Sequence, residues 1–140
     1  ADHTSAVNYN KTYKNRIGRY AIPLLFFKGD GSMVGENNSI VQQIDIMPTI
    51  LEEIAYTKPY LAFGKSLFSD ESWAISKLYS NYHFITDQGI INNKEENYPT
   101  FSDWDLKEIS SKENPNTKLL KAIKQNYNSR MKNNNLKYEN

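Results

Sequence analysis

Tyr20-Ala21-Ile22-Pro23-Leu24-Leu25-Phe26-Phe27 is the longest apolar run in the 140 residues, and the expected fold class turns on it. It is continuous rather than alternating, and it lies between Gly18 and Gly29. That pattern suits a strand buried on both faces, as in a parallel sheet flanked by helices. Pro23, lacking an N–H, is tolerable near the start of such a strand. The run is far too short to cross a bilayer, which takes roughly 20 residues. Upstream, Ala1 to Ile17 interleaves Asn and Lys with Tyr9 and Tyr13 and reads as a loop. Downstream, Lys28 to Asn38 carries Gly29, Gly31 and Gly35 and reads as another.

A helix is expected next, over Ile44-Asp45-Ile46-Met47-Pro48-Thr49-Ile50-Leu51-Glu52-Glu53-Ile54. Asp45 suits its N-cap, and Pro48 falls in the first turn, where backbone N–H groups have no intrahelical partner. Met47, Ile50, Leu51 and Ile54 then share one apolar face. Tyr56 to Gly64 leads out through Pro59 as an extended stretch. From Trp73 the character changes. Trp73 to Tyr79 and Tyr82 to Ile85 are rich in aromatic and β-branched residues, Asp87-Gln88-Gly89 supplies a turn, and Ile90-Ile91 restart a strand, which together predict an antiparallel hairpin. A further short strand is expected around Tyr98. Asn114-Pro115-Asn116 opens a last helix with Leu120, Ile123, Tyr127 and Met131 on one face, and Lys118, Lys121 and Lys124 largely off it.

Composition narrows the chemistry. The net charge of +1 gives no field that would call for a nucleic-acid partner. Without cysteine there is no disulfide scaffold, zinc knuckle or thiol nucleophile. No charged segment followed by an apolar one opens the chain, so no signal peptide is visible. The start at Ala1-Asp2-His3, without an initiator Met, reads as an excised piece whose targeting segment is expected upstream. Asp2-His3 is the one candidate pair for metal chemistry, since a carboxylate oxygen and an imidazole nitrogen suit manganese, zinc or similar divalent ions. A dipeptide of this kind is by itself commonplace at a solvated terminus.

Four segments in order give it context: Ala1-Asp2-His3-Thr4, Gly18-Arg19-Tyr20-Ala21-Ile22-Pro23-Leu24-Leu25, Gln43 to Leu51, and Phe63-Gly64-Lys65-Ser66-Leu67-Phe68. Together they resemble the sulfatase family within the alkaline-phosphatase superfamily. The run Tyr60 to Phe68 is most similar to bacterial lipoteichoic-acid-synthase-like phosphoglycerol transferases. The resemblance covers the first half of the chain; the hairpin and last helix follow the family's usual tail more loosely. It implies that Asp2 and His3 bind the catalytic divalent metal (manganese, or zinc or calcium). It also implies that the nucleophile, a Thr in the transferases and a modified Cys or Ser in sulfatases, lies upstream. No residue here takes that role by position, including Thr4, Ser5 and Thr49. The implied reaction is displacement at phosphorus through a covalent phospho-threonine. The parent is expected in a bacterial cell membrane with its catalytic domain outside the cytoplasm, acting on an anionic lipid or ester substrate.

Other residues take plainer readings. Asp45 reads as a helix cap before a ligand, and His83, between Tyr82 and Phe84, as a surface or packing residue. Arg16 and Arg19 are candidates for an anionic headgroup, because guanidinium suits phosphate, against simple solvation. The lysines of the last helix read as a wet face before a membrane-binding one. Gly29-Asp30-Gly31-Ser32 is no phosphate loop, since no Lys-Ser/Thr and helix follow.

The expected fold class is therefore α/β: a C-terminal fragment of an alkaline-phosphatase-like α/β sandwich with an antiparallel hairpin and a terminal helix. Residues 1–140 form a single domain, 1–70 being the end of the main sheet region and 71–140 the hairpin plus helix. The expected function is that of a phosphoglycerol-transferase-like enzyme, with a sulfatase and a standalone, non-catalytic binding module as alternatives. A strand torn from its sheet would expose edges, so a homo-oligomer through Tyr20 to Phe27 or the Ile46 to Ile54 helix is also expected.

Overall fold

The computed structural model describes residues 11–94, 100–110 and 114–138. A short helix α1 (Lys11–Lys14) and a 3-10 turn (Gly18–Tyr20) come first. A second 3-10 turn (Gln43–Asp45) runs directly into helix α2 (Ile46–Glu53). Five strands follow, β1 (Trp73–Leu78), β2 (Asn81–Thr86), β3 (Gly89–Lys94), β4 (Thr100–Ser102) and β5 (Glu108–Ser110), and helix α3 (Thr117–Lys132) comes last.

The strands form one antiparallel sheet in the order β1-β2-β3-β4-β5, so each neighbour in sequence is a neighbour in space. The expected hairpin is thus the start of a longer meander. Two-residue turns fix its register: Leu78 pairs with Asn81 around Tyr79-Ser80, and Thr86 pairs with Gly89 around Asp87-Gln88. Gly89, at φ 139°, is required, because a Cβ there would stand 2.7 Å from the Ser102 carbonyl oxygen and 2.8 Å from the Phe101 ring. The strand expected around Tyr98 falls outside the described residues; β4 begins at Thr100 and slips register between Phe101 and Ser102.

Alternation along the strands gives the sheet two different faces. One carries Trp73, Ile75, Phe84, Ile91 and Phe101 and packs against Leu120 and Ile123 of α3. Phe84, Ile91 and Leu120 are each 1% exposed, and each such burial contributes about 1.5–3 kcal/mol. Lys124, expected off the apolar face, instead lies over the Tyr82 ring at 4.3 Å and donates to Asn93 Oδ1 at 2.5 Å. Its aliphatic stem lets a charged residue edge a packed face. Tyr127 meets Phe63 edge-on at 5.1 Å, tying the helix to the loop before β1. The other face carries Ala74, Ser76, His83, Ile85, Ile90, Asn92 and Ser102.

The apolar run is where expectation and structure part. Ala21 to Lys28 forms neither helix, turn nor bend, and it belongs to no sheet. Its burial is irregular: Ile22 and Phe26 are half-buried, Pro23 and Leu24 are exposed, and Leu25 and Phe27 are 88% and 89% exposed. A strand covered on both faces needs a neighbour on each edge, and the five strands downstream satisfy one another instead. Among the described residues no parallel pairing occurs.

Candidate functional site

The most constrained polar cluster lies where the second 3-10 turn meets the loop before β1. Asp45 is completely buried. One carboxylate oxygen accepts from the Lys65 amide at 2.9 Å; the other accepts from the Lys65 ammonium at 2.8 Å and the Gln42 amide at 3.0 Å. The Lys65 ammonium also approaches the Ile40 carbonyl at 3.4 Å and lies 5.0 Å from the Trp73 ring centre. Such a charge is tolerated inside a protein only when paired and hydrogen-bonded, as here. Asp45 therefore does not cap α2 with its side chain, as its position suggests; its backbone is already helical, at φ −81° and ψ −14°, and its carboxylate faces the loop. The cap lies one turn earlier: Gln42 and Asp45 form a capping box around the 3-10 turn that leads into α2, in which the Asp45 carboxylate accepts the Gln42 amide.

Two further contacts complete the knot. Thr49, 1% exposed, donates its hydroxyl to the Asp45 carbonyl at 2.6 Å and accepts the Leu67 amide at 3.0 Å, so it is held as a strut. Gly64 lies against Ile44: a Cβ there would collide with the Ile44 carbonyl oxygen and stand 2.6 Å from an Asp45 carboxylate oxygen. The segments Gln43 to Thr49 and Phe63 to Phe68, some twenty residues apart, thus shape each other. Lys65, Gly64 and Gln42 carried no assigned role in the sequence. The available signal was a Gly-Lys pair beside apolar neighbours, where a lysine needs a buried acid.

Beside this knot, residues 39–43 run along the β1 edge. The Ile40 amide donates to Ser72 Oγ at 2.8 Å, and the Ile75 amide donates to Gln42 Oε1 at 3.1 Å. These bonds blunt the edge strand. They also leave a cleft of about 780 Å³ between this segment, residues 15–22 and the second sheet face. Ile17, Tyr20, Ile22, Ile40, Val41, Ala74 and Ile85 make its walls largely apolar, and Asn15, Ser39, Gln42, Gln43 and Ser76 add neutral polar groups. Among the described residues, no charged side chain lines it. Its size and lining are those of a small-molecule pocket.

Arg16 and Arg19 stand, exposed, on the stretch that forms one wall of this cleft. His83 is buried at 2% exposure, in line with its reading as a packing residue, and its Nδ1 has no hydrogen-bond partner. Burial, and secondarily the Arg16 charge, hold the imidazole below its ordinary value of 6.5, in the neutral form. Ser76 stands directly across from His83 on β1, but no hydrogen bond joins them. Asp2, His3, Thr4 and Ser5 lie outside the described residues. Among the described residues, no group of three or more His, Asp or Glu side chains is gathered to hold a metal ion.

No protein-family model, curated protein or solved structure matches the chain.

Proposed function

We propose that the chain is the C-terminal part of a metal-dependent phosphoglycerol-transferase-like enzyme of the sulfatase family, acting on phosphate esters of membrane lipid or envelope glycan. The observation that carries this reading is the Asp45–Lys65 knot. Two of the four segments on which the resemblance rests are joined by a buried ion pair, a hydroxyl strut and an obligatory glycine. The resemblance therefore falls on residues that the fold needs together, rather than on scattered identities. The antiparallel sheet closed by a terminal helix agrees with the family's usual tail.

In this reading Asp2 and His3 contribute two ligands to a divalent metal, manganese or else zinc or calcium, which supplies charge stabilisation at the transferred group. The remaining ligands and the nucleophile belong, in this reading, to other parts of the enzyme. Arg16 and Arg19 are the residues here suited to an anionic headgroup. No helix among the described residues is long and apolar enough to cross a membrane, and the anchor of an extracytoplasmic enzyme is assigned to sequence outside them.

One observation favours a second reading. The cleft, without a charged wall among the described residues, suits a neutral amphipathic ligand and a non-catalytic binding module. Reading the encoding frame upstream of Ala1 separates the cases. An in-frame Thr nucleophile is expected for the transferase, whereas a Cys/Ser-x-Pro-x-Arg motif would make it a sulfatase. A start codon immediately before Ala1 would leave only the binding module.

A further inference from the structure

We infer that the cleft beside β1 is a binding site for a small uncharged amphiphile whose carbonyl oxygen accepts a hydrogen bond from the Gln42 side-chain amide. A pinned and half-satisfied glutamine leads there. Gln42 lines the cleft, and its Oε1 accepts the Ile75 amide at 3.1 Å. A backbone N–H can only donate, so this bond fixes which end of the side-chain amide faces β1. The other end, Nε2, is a buried donor with no hydrogen-bond partner. Such a group is costly to leave unpaired, and an acceptor brought to it is favoured. Because Gln42 is held at Ile75, its amide lies beside Ser76, which also lines the cleft. Ser76 in turn stands across from His83, 2% exposed, whose Nδ1 likewise has no partner. Unpaired hydrogen-bonding groups thus gather at one part of the cleft.

The rest of the lining sets the body of the ligand. Ile17, Ile40, Val41 and Ile85 are aliphatic, and Tyr20 and Trp104 add rings. Arg16 and Arg19 lie on the same stretch as Ile17 and Tyr20 but are exposed and do not line the cleft. An ionised ligand would therefore lose its hydration without gaining a counter-charge. The volume of about 780 Å³ lies within the roughly 300–1,000 Å³ of small-molecule sites, where apolar walls carry a few convergent polar groups. The inference rests on the same cleft as the binding-module reading, to which it adds the chemistry of the ligand.

The test follows the fluorescence of Nile red, an uncharged dye with an apolar body and one carbonyl, added to the 140-residue chain. Saturable enhancement is expected, reversed by monodecanoylglycerol below its micelle concentration. Decanoate, with the same chain and a negative charge, should compete at least about tenfold more weakly at neutral pH. Gln42→Glu keeps an oxygen for the Ile75 amide but replaces the donor with an acceptor, and it should weaken Nile red binding at least about tenfold. Val41→Trp, which fills part of the cleft, should do the same. Tyr79→Ala, at a side chain 91% exposed between β1 and β2, should change nothing. No saturable signal, equal competition by decanoate, or unchanged binding in both cleft variants overturns the inference. If either variant loses the circular dichroism of the parent chain, the neutral-against-charged comparison on the unmodified chain decides alone. Failure here leaves the binding-module reading standing, since the frame upstream of Ala1 decides that separately.

Discussion

At position 45 an uncharged side chain leaves the Lys65 ammonium buried without its counter-charge, at 8% side-chain exposure. Asp45→Asn and Lys65→Met should each destabilise the fold by about 3–5 kcal/mol, the usual cost of removing one partner from a buried pair. The double variant should cost less than the sum of the two, and urea unfolding of all four proteins in a double-mutant cycle measures that coupling. His83 sets a different dependence. Its proton affinity is lower in the folded chain than in the unfolded one, so below about pH 6.5 the unfolded state binds more protons. Its contribution to stability is thus present above that pH and is lost as pH falls below it. The urea midpoint of the native chain should drop between about pH 7.5 and pH 5.5 by more than that of His83→Gln; parallel slopes would contradict this.

Helix α3 and the meander are held together through a small apolar core, Trp73, Phe84, Ile91 and Leu120, flanked by Ile123 and by Lys124 on Tyr82 and Asn93. Leu120→Ala should therefore cost about 2–5 kcal/mol and loosen the helix from the sheet, read as a fall in Tm and faster amide exchange along 117–132. This half of the molecule was largely legible. Aromatic and β-branched residues with an Asp87-Gln88-Gly89 turn announced β1 to β3, and Leu120 and Ile123 announced the buried stripe of α3. The first half was legible only in part. The 3.6-residue spacing found α2, but Asp45 points to a lysine twenty residues on, which no local pattern records. Tyr20 to Phe27 has the composition of a central strand, yet Tyr20 closes a 3-10 turn and the rest pairs with no strand; a strand is defined by its neighbour, and sequence gives no neighbour. The candidate site was least legible: Asp2 and His3 stand on the resemblance, while the cleft is assembled from three separate stretches that share no motif.

Taken whole, the described residues combine a buried polar knot, an open antiparallel meander and several exposed apolar side chains. These include Leu25, Phe27, and the Met47, Ile50 and Ile54 side of α2, at 45%, 45% and 62% exposure. The proposed parent enzyme would require a nucleophile and further ligands that this chain does not supply by position. The 140 residues alone should therefore show no metal-dependent hydrolysis of nitrophenyl phosphate or nitrophenyl sulfate. Calorimetry with manganese or zinc should show at most weak binding, because a closed site takes about four ligands. Tight one-to-one binding lost in Asp2→Ala would refute that expectation.

The central claim is that Asp2 and His3 serve a metal at which a phosphate ester reacts. It is tested most directly by turnover of a phosphatidylglycerol-type lipid by the protein carrying these residues together with its upstream sequence. The expected result is manganese-stimulated release of glycerol phosphate that falls at least about 100-fold in both Asp2→Ala and His3→Ala. Turnover unchanged in both variants, or indifferent to chelation of the metal, would contradict it.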